Sequence, residues 1–322
     1  MNTIHKKVGI VACSNGQKVT NVEQIKALET TLLQIGLIPV CSSYIYEKES
    51  IFSGTAKERA TALMDFYKED DIVEIFDISG GDVANGILPY LDYEQIAKSN
   101  ARFWGYSDLT TVLNAIYAKT GKSSVLYQIR NVLYQHKEKQ LADFSKAMIK
   151  IASESMLKPI LKTASESMSK TIPKSMSEVG EDLFQISYRF IQGEEMQGVV
   201  IGGNIRCFLK LAGTEYMPDF NGKILLLESF SGTVAKMETY LCQLQQLGAF
   251  EKVAGILLGT FTEMEEKQCE PTIETLVKRI VGERLPIAVT REIGHGTDAK
   301  AIEIGKEYRL TLQCKMHIIS RV

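Results

Sequence analysis

From Lys7 to about Gln135 the chain alternates short apolar runs with stretches of helical periodicity, and this alternation restricts its possible folds more than any other feature. Val8-Gly9-Ile10-Val11-Ala12 precedes a helical pattern from about Val22 to Gly36, which leads into Ile38-Pro39-Val40. A second helical pattern, around Ala56 to Asp65, leads into Ile72-Val73-Glu74-Ile75-Phe76-Asp77-Ile78. Apolar strands separated by helices of this length predict βαβ units and an α/β, flavodoxin- or Rossmann-like parallel sheet covered on both faces. Ligands of such sheets bind beyond the carboxyl ends of the strands.

After about Met196 the texture changes to glycine-punctuated runs: Gly198-Val199-Val200-Ile201-Gly202, Lys223-Ile224-Leu225-Leu226-Leu227 and Val253-Ala254-Gly255-Ile256-Leu257-Leu258-Gly259. They predict a second, smaller α/β domain with its own sheet. The expected division is an N-terminal domain over residues 1–137, a helical linker over 138–190 and a C-terminal domain over 191–322, a reasonable partition of 322 residues. The linker is rich in Ser, Lys, Met and Glu, and Ala152-Ser153-Glu154-Ser155-Met156 recurs twelve residues later as Ala164-Ser165-Glu166-Ser167-Met168. So short a repeat is not a solenoid unit. The segment reads as a helical excursion with a solvated, charged face. The competing reading is a lid over a cleft, broken at Pro159 and Pro173.

Lys and Arg total 37 against 39 for Asp and Glu, so nothing in the balance favours a nucleic-acid partner. The apolar stretch Val8 to Cys13 is too short for a signal-peptide core, and no later segment has the length of a membrane span. The six cysteines lack CxxC spacing, which predicts a reducing, cytoplasmic setting and no zinc site.

The sharpest local signal is Ile78-Ser79-Gly80-Gly81-Asp82-Val83-Ala84-Asn85-Gly86-Ile87-Leu88-Pro89-Tyr90-Leu91-Asp92. A buried strand ends in a glycine pair and passes within four residues into an apolar helical stretch. Two glycines permit a tight turn with close backbone approach, and the helix start offers unpaired amides. Such an elbow suits a nucleophile or an anion. Neither dinucleotide-binding nor P-loop glycine spacing occurs at a strand-to-helix turn, which argues against a nucleotide-binding fold.

Gly80-Gly81-x-x-Ala84-Asn85 with Leu88-Pro89-Tyr90-Leu91-Asp92 resembles the LD-carboxypeptidase family, most of all the branch that hydrolyses microcin C. Further blocks match in order: Trp104-Gly105-Tyr106-Ser107-Asp108-Leu109-Thr110, Gly202-Gly203-Asn204 with Pro218-Asp219, Gly222 to Glu228, and Gly294-His295-Gly296-Thr297-Asp298. The resemblance covers nearly the whole chain outside the linker. It implies a Ser-Glu-His triad whose members map onto Ala84, Glu228 and His295. Glu228 ends an apolar run and His295 lies between two glycines, where its ring is free to face the first domain. A carboxylate-oriented histidine is the usual base for an alcohol nucleophile.

On this mapping a methyl group stands at the nucleophile position. Either the alanine replaces a serine by design, or the protein has lost hydrolysis and kept a binding cleft, or Ser79, Asp82 or Ser107 attacks instead. The last is disfavoured, because several residues along an elbow displace a group by several ångströms. If Ala84 does mark the nucleophile position, Ala84→Ser raises the rate by several orders of magnitude. The resemblance further implies no metal or other cofactor, a homodimer, and a substrate that is a murein tetrapeptide cut at its L,D bond or a peptidyl-nucleotide of the microcin C type. The amides of Asn85 and of the Gly80-Gly81 turn would form the oxyanion hole. Asn204 and Arg206, just after a strand end, and Ser107 would line the cleft, with Arg206 either clamping a substrate carboxylate or making a salt bridge.

Overall fold

The computed structural model describes residues 6–160, 181–312 and 317–318, with 152–160 and 317–318 as backbone only. The strands are β1 (Lys6–Val11), β2 (Leu37–Cys41), β3 (Ile72–Asp77), β4 (Arg102–Gly105), β5 (Ser124–Leu126), β6 (Arg189–Gln192) and β7 (Glu195–Asn204). They continue with β8 (Lys223–Ser229), β9 (Gly255–Phe261), β10 (Ile287–Val289), β11 (Ile302–Ile304), β12 (Glu307–Thr311) and β13 (His317–Ile318). Among the described residues they form a six-stranded sheet in the order β11-β5-β4-β3-β1-β2 and a seven-stranded sheet in the order β13-β12-β7-β8-β9-β10-β6.

Strands β1 to β5 are parallel throughout, as the alternation predicts. Helices Val22–Gln34 and Ala56–Lys68 supply the crossovers. Each buries an apolar stripe, Ile25, Leu28 and Leu32 in the first and Ala60, Leu63, Met64 and Tyr67 in the second. Thr55 and Glu58 form a capping box that starts the second. In the other sheet β7 to β10 are parallel and antiparallel strands flank them. Val200, Ile201 and Ile224 to Leu227 are wholly buried, as strands covered on both faces require.

Two features depart from the expected partition. Strand β11, from the C-terminal part of the chain, pairs antiparallel with β5 and completes the first sheet. The early linker also packs as core: in the helix Lys137–Ile160, Phe144 is buried against Phe76, Trp104 and Tyr127. Gln140 there accepts from the Tyr127 hydroxyl at 2.6 Å and donates to the Ala299 carbonyl at 3.1 Å. Buried polar atoms need such partners, and these tie the helix to both halves of the chain. The second copy of the repeat and Pro173 lie outside the described residues.

The sheets are joined through the helix Thr110–Thr120. The buried Asn114 amide donates to the Gly202 carbonyl and accepts from the Gly202 amide, each at 2.8 Å, so a side chain of one lobe completes the strand edge of the other. The Asn204 amide donates to Thr110 Oγ1 at 3.1 Å. Asn114→Ala strands both polar groups of Gly202 in the interior and is expected to lower the unfolding free energy by about 3 kcal/mol, measured by urea denaturation.

Candidate active site

The site is built where strand ends of the two sheets converge. At the end of β3, Asp77 accepts from the Cys13 and Ser79 amides, both at 2.7 Å, and Ser79 Oγ accepts from the Ser14 amide at 2.9 Å. Burial pushes the Asp77 carboxyl up, against these hydrogen bonds. Ser79 is therefore committed to holding the loops together. Gly81 has φ +125°, and a Cβ there would fall 2.2 Å from the Asn15 side chain, whose Oδ1 accepts from the Asp82 amide at 3.1 Å. Only glycine fits this turn.

From Gly81 the chain turns inward. Ala84 is 0 % exposed, packs with the apolar core and donates its amide to Asp108 Oδ2 at 2.8 Å. It begins a 3-10 helix, Ala84–Tyr90, over the apolar helical stretch expected after the glycine pair. Neither Ala84 nor the exposed Asn85 lines the cavity that holds His295. The physical reason is the grip on this turn from behind: Arg59 reaches the Val83 carbonyl at 3.3 Å, and Asp108 holds the next amide.

Ser107 occupies the neighbouring elbow. It follows β4 and opens a 3-10 turn, Ser107–Leu109, that runs into the helix Thr110–Thr120. Its φ is +55°, a left-handed conformation that costs a side-chain-bearing residue on the order of 1 kcal/mol and is held only where the surroundings over-determine it. A strained residue between a strand and a helix is the geometry of a nucleophile elbow. Ser107 lines, with His295, Tyr106, Gly80 and Gly81, a cavity of about 400 Å³.

Glu228 and His295 come from the other sheet. Glu228, 2 % exposed near the end of β8, lies 2.8 Å through Oε2 from His295 Nδ1. His295 sits past β10, between the rings of Tyr106 and Phe230 at centroid distances of 5.4 and 5.1 Å. Gly294, at φ +145°, lets the backbone pass Thr260, whose Oγ1 would be 1.9 Å from any Cβ. An imidazole that donates Nδ1–H to Glu228 presents the lone pair of Nε2, and that atom is buried without a hydrogen-bond partner. Buried polar atoms are rarely left so, except where a reacting group belongs.

The remaining expected residues have structural partners. Asn204 caps the helix Ile205–Leu209 by accepting from the Cys207 amide at 3.3 Å. Arg206 is ion-paired with Asp82 and donates to the Gly81 carbonyl at 3.1 Å, so it braces the glycine turn from the other lobe. This pairing holds the Asp82 carboxyl below the usual carboxylate range. Sequence reasoning passed over Tyr106, Gln128, Arg130 and Phe230, all of which line the cavities around His295. Their signal was position, since each lies just beyond a strand's carboxyl end. Among the described residues no group of three or more His, Cys, Asp or Glu could hold a metal ion, and no helix is long and apolar enough to cross a membrane. A groove of about 560 Å³ between the helices Val22–Gln34 and Lys137–Ile160 lies away from these residues.

Residues 8–128 match the LD-carboxypeptidase N-terminal domain, and residues 197–310 match the LD-carboxypeptidase C-terminal domain. The chain belongs to the LD-carboxypeptidase family. Among LD-carboxypeptidase relatives, the microcin C7 self-immunity protein MccF of Escherichia coli is 28 % identical over 79 % of this chain and 75 % of its own length. The murein tetrapeptide carboxypeptidase of Pseudomonas aeruginosa is 24 % identical over 87 % of this chain and 86 % of its own length. The fold agrees with that of MccF in complex with glutamyl sulfamoyl guanosine, at a TM-score of 0.75 and 22 % identity over 99 % of this chain and 97 % of that one. It agrees equally with the MccF-like protein from Bacillus anthracis, at a TM-score of 0.76 and 23 % identity over 98 % of this chain and 97 % of that one.

The strain at Ser107 can be measured apart from any activity. Glycine has no left-handed penalty, so Ser107→Gly is expected to unfold at a higher midpoint than Ser107→Ala, by about 1 kcal/mol in thermal or urea denaturation.

Proposed function

We propose that this protein is a serine carboxypeptidase with an intact triad, in which Ser107 is the nucleophile, His295 the general base and Glu228 the carboxylate that orients the imidazole. The observation that carries this reading is the buried, partnerless Nε2 of His295, on a ring fixed by Glu228, in a cavity lined by the strained Ser107. The mapping onto Ala84 gives way in this proposal, because Ala84 is sealed in the core. With it goes the reason for supposing the protein catalytically silent.

In the reaction, Ser107 Oγ attacks the carbonyl carbon of the scissile amide while Nε2 takes its proton. Backbone amides at Asp108 and in the Gly80-Gly81 turn stabilise the oxyanion, the residue after the nucleophile being a regular donor in such elbows. His295 returns the proton to the leaving amine as the C–N bond breaks. Water, activated by the same nitrogen, then releases the acyl group and restores the Ser107 hydroxyl. Glu228 stabilises the imidazolium at each stage.

The substrate is a small peptide with a free carboxyl end, of the murein tetrapeptide class, or an aminoacyl amide of a nucleotide. The names of the murein tetrapeptide carboxypeptidase and the ligand of MccF support both classes. The free thiols of Cys13, Cys41, Cys207, Cys242 and Cys269 support a reducing compartment. A cytoplasmic homodimer completes the proposal, and sedimentation tests the dimer.

Ser107→Ala is expected to lower kcat by on the order of 10^4- to 10^6-fold, measured as released amino acid from murein tetrapeptide. Ala84→Ser is expected to leave the rate unchanged while lowering stability by about 1 kcal/mol, because its hydroxyl enters an apolar core. A rate increase in that variant would return the nucleophile to position 84. Glu228→Gln is expected to keep the fold and lower kcat by about 10^2- to 10^4-fold at unchanged KM, because the amide can hold the ring in the wrong tautomer.

A further inference from the structure

Among the described residues three buried side-chain polar atoms have no hydrogen-bond partner, and two of them, His295 Nε2 and Arg130 Nε, belong to residues that line one cavity. The first is explained by the proposed reaction; the second is not. Arg130 follows β5, on the 3-10 turn Ile129–Leu133, and is half-buried. Its Nη1 donates to Gln17 Oε1 at 3.2 Å, and its Nη2 lies 3.5 Å from the Tyr106 hydroxyl. Both partners are neutral, and among the described residues no carboxylate pairs with the guanidinium. No Asp or Glu lines this cavity, and Arg130 is its sole Arg or Lys.

An arginine held by two neutral groups, with spare donors and no counter-ion, is a preformed anion site. We propose that Arg130 is a specificity-determining residue that binds a carboxylate of the peptide substrate, the free C-terminal carboxylate of the leaving residue, while Ser107 attacks the preceding carbonyl. The proposal deepens the carboxypeptidase reading and rests on it for the identity of the bound peptide. It assigns the task that the sequence offered to Arg206, which Asp82 neutralises. Gln17 and Tyr106 act as positioning residues that fix the plane of the fork. A side-chain carboxylate of the same peptide has the same chemistry, and the experiment separates the two sources.

Binding of murein tetrapeptide and of the same peptide as its C-terminal amide is measured by calorimetry on the Ser107→Ala protein, alone and combined with Arg130→Met or Arg130→Lys. The expected result is that the acid binds about 10- to 100-fold more tightly than the amide, and that Arg130→Met removes this preference by weakening the acid alone. Arg130→Lys restores part of it, since a point charge lacks the fork. Equal affinity for acid and amide in the unaltered Arg130 background overturns the proposal. So does equal weakening of both peptides by Arg130→Met, which would indicate a side-chain carboxylate or a structural role. If Arg130→Met does not fold, the acid-to-amide ratio of the Arg130 protein decides alone. Turnover of the acid by the protein with Ser107 intact is scored separately: its absence beside a clear acid preference sinks the hydrolase reading and spares the carboxylate site.

Discussion

Asp108 is the interaction on which the site depends. Its carboxylate is wholly buried, and it accepts from the Ser14 hydroxyl at 2.6 Å, the Ala84 amide at 2.8 Å and the Lys210 ammonium at 2.5 Å. A buried carboxylate is tolerated only when its oxygens are satisfied and its charge is met. Satisfying this one brings together the loop after β1, the glycine turn after β3 and a lysine from the other lobe. Asp108 is the next residue after Ser107, whose backbone is left-handed at φ +55°, so the anchored carboxylate and the strained turn are adjacent in the chain.

Across the cleft the arrangement is simpler. Glu228 is delivered by the register of β8 against β7, where it lies opposite Asn204, and its oxygen reaches a ring whose backbone can approach only because residue 294 is glycine. Tyr106 from the first lobe and Phe230 from the second flank the imidazole, so it has an apolar wall on either side and one polar contact at Nδ1. Removing water from around a histidine strengthens its bond to the carboxylate and reserves the other nitrogen for chemistry.

Much of this was legible in the sequence for local reasons. Apolar runs and helical stripes report burial directly, so the strands of both sheets and the helices between them could be read from periodicity. Glu228 at a strand end and His295 between glycines stood out as candidates because each carries its own context. The nucleophile proposed here did not, because two elbows, Gly80-Gly81 after β3 and Gly105-Tyr106-Ser107 at the end of β4, have similar local grammar. Which one opens toward the histidine depends on Arg59, Asp108 and Lys210, far apart in the chain. Arg206 carried a plausible ligand signal that Asp82 neutralises, whereas Arg130 carried none until β5 placed it in the cleft. The return of β11 to the first sheet was equally hidden, since a three-residue apolar strand does not declare its partner.

That return has a consequence for synthesis on the ribosome. The stretch bearing His295 leaves the second sheet at β10 and ends in the first at β11, so it is stitched to both lobes. Until Ile304 has emerged, the β5 edge of the first sheet has no partner there and the histidine has only one anchor. A nascent chain can therefore form most of its first lobe, Ser107 elbow included, before the proposed triad is assembled. The order of the chain itself acts as a safety catch, withholding the proposed triad until residues 302–304 have been made and can pair with β5.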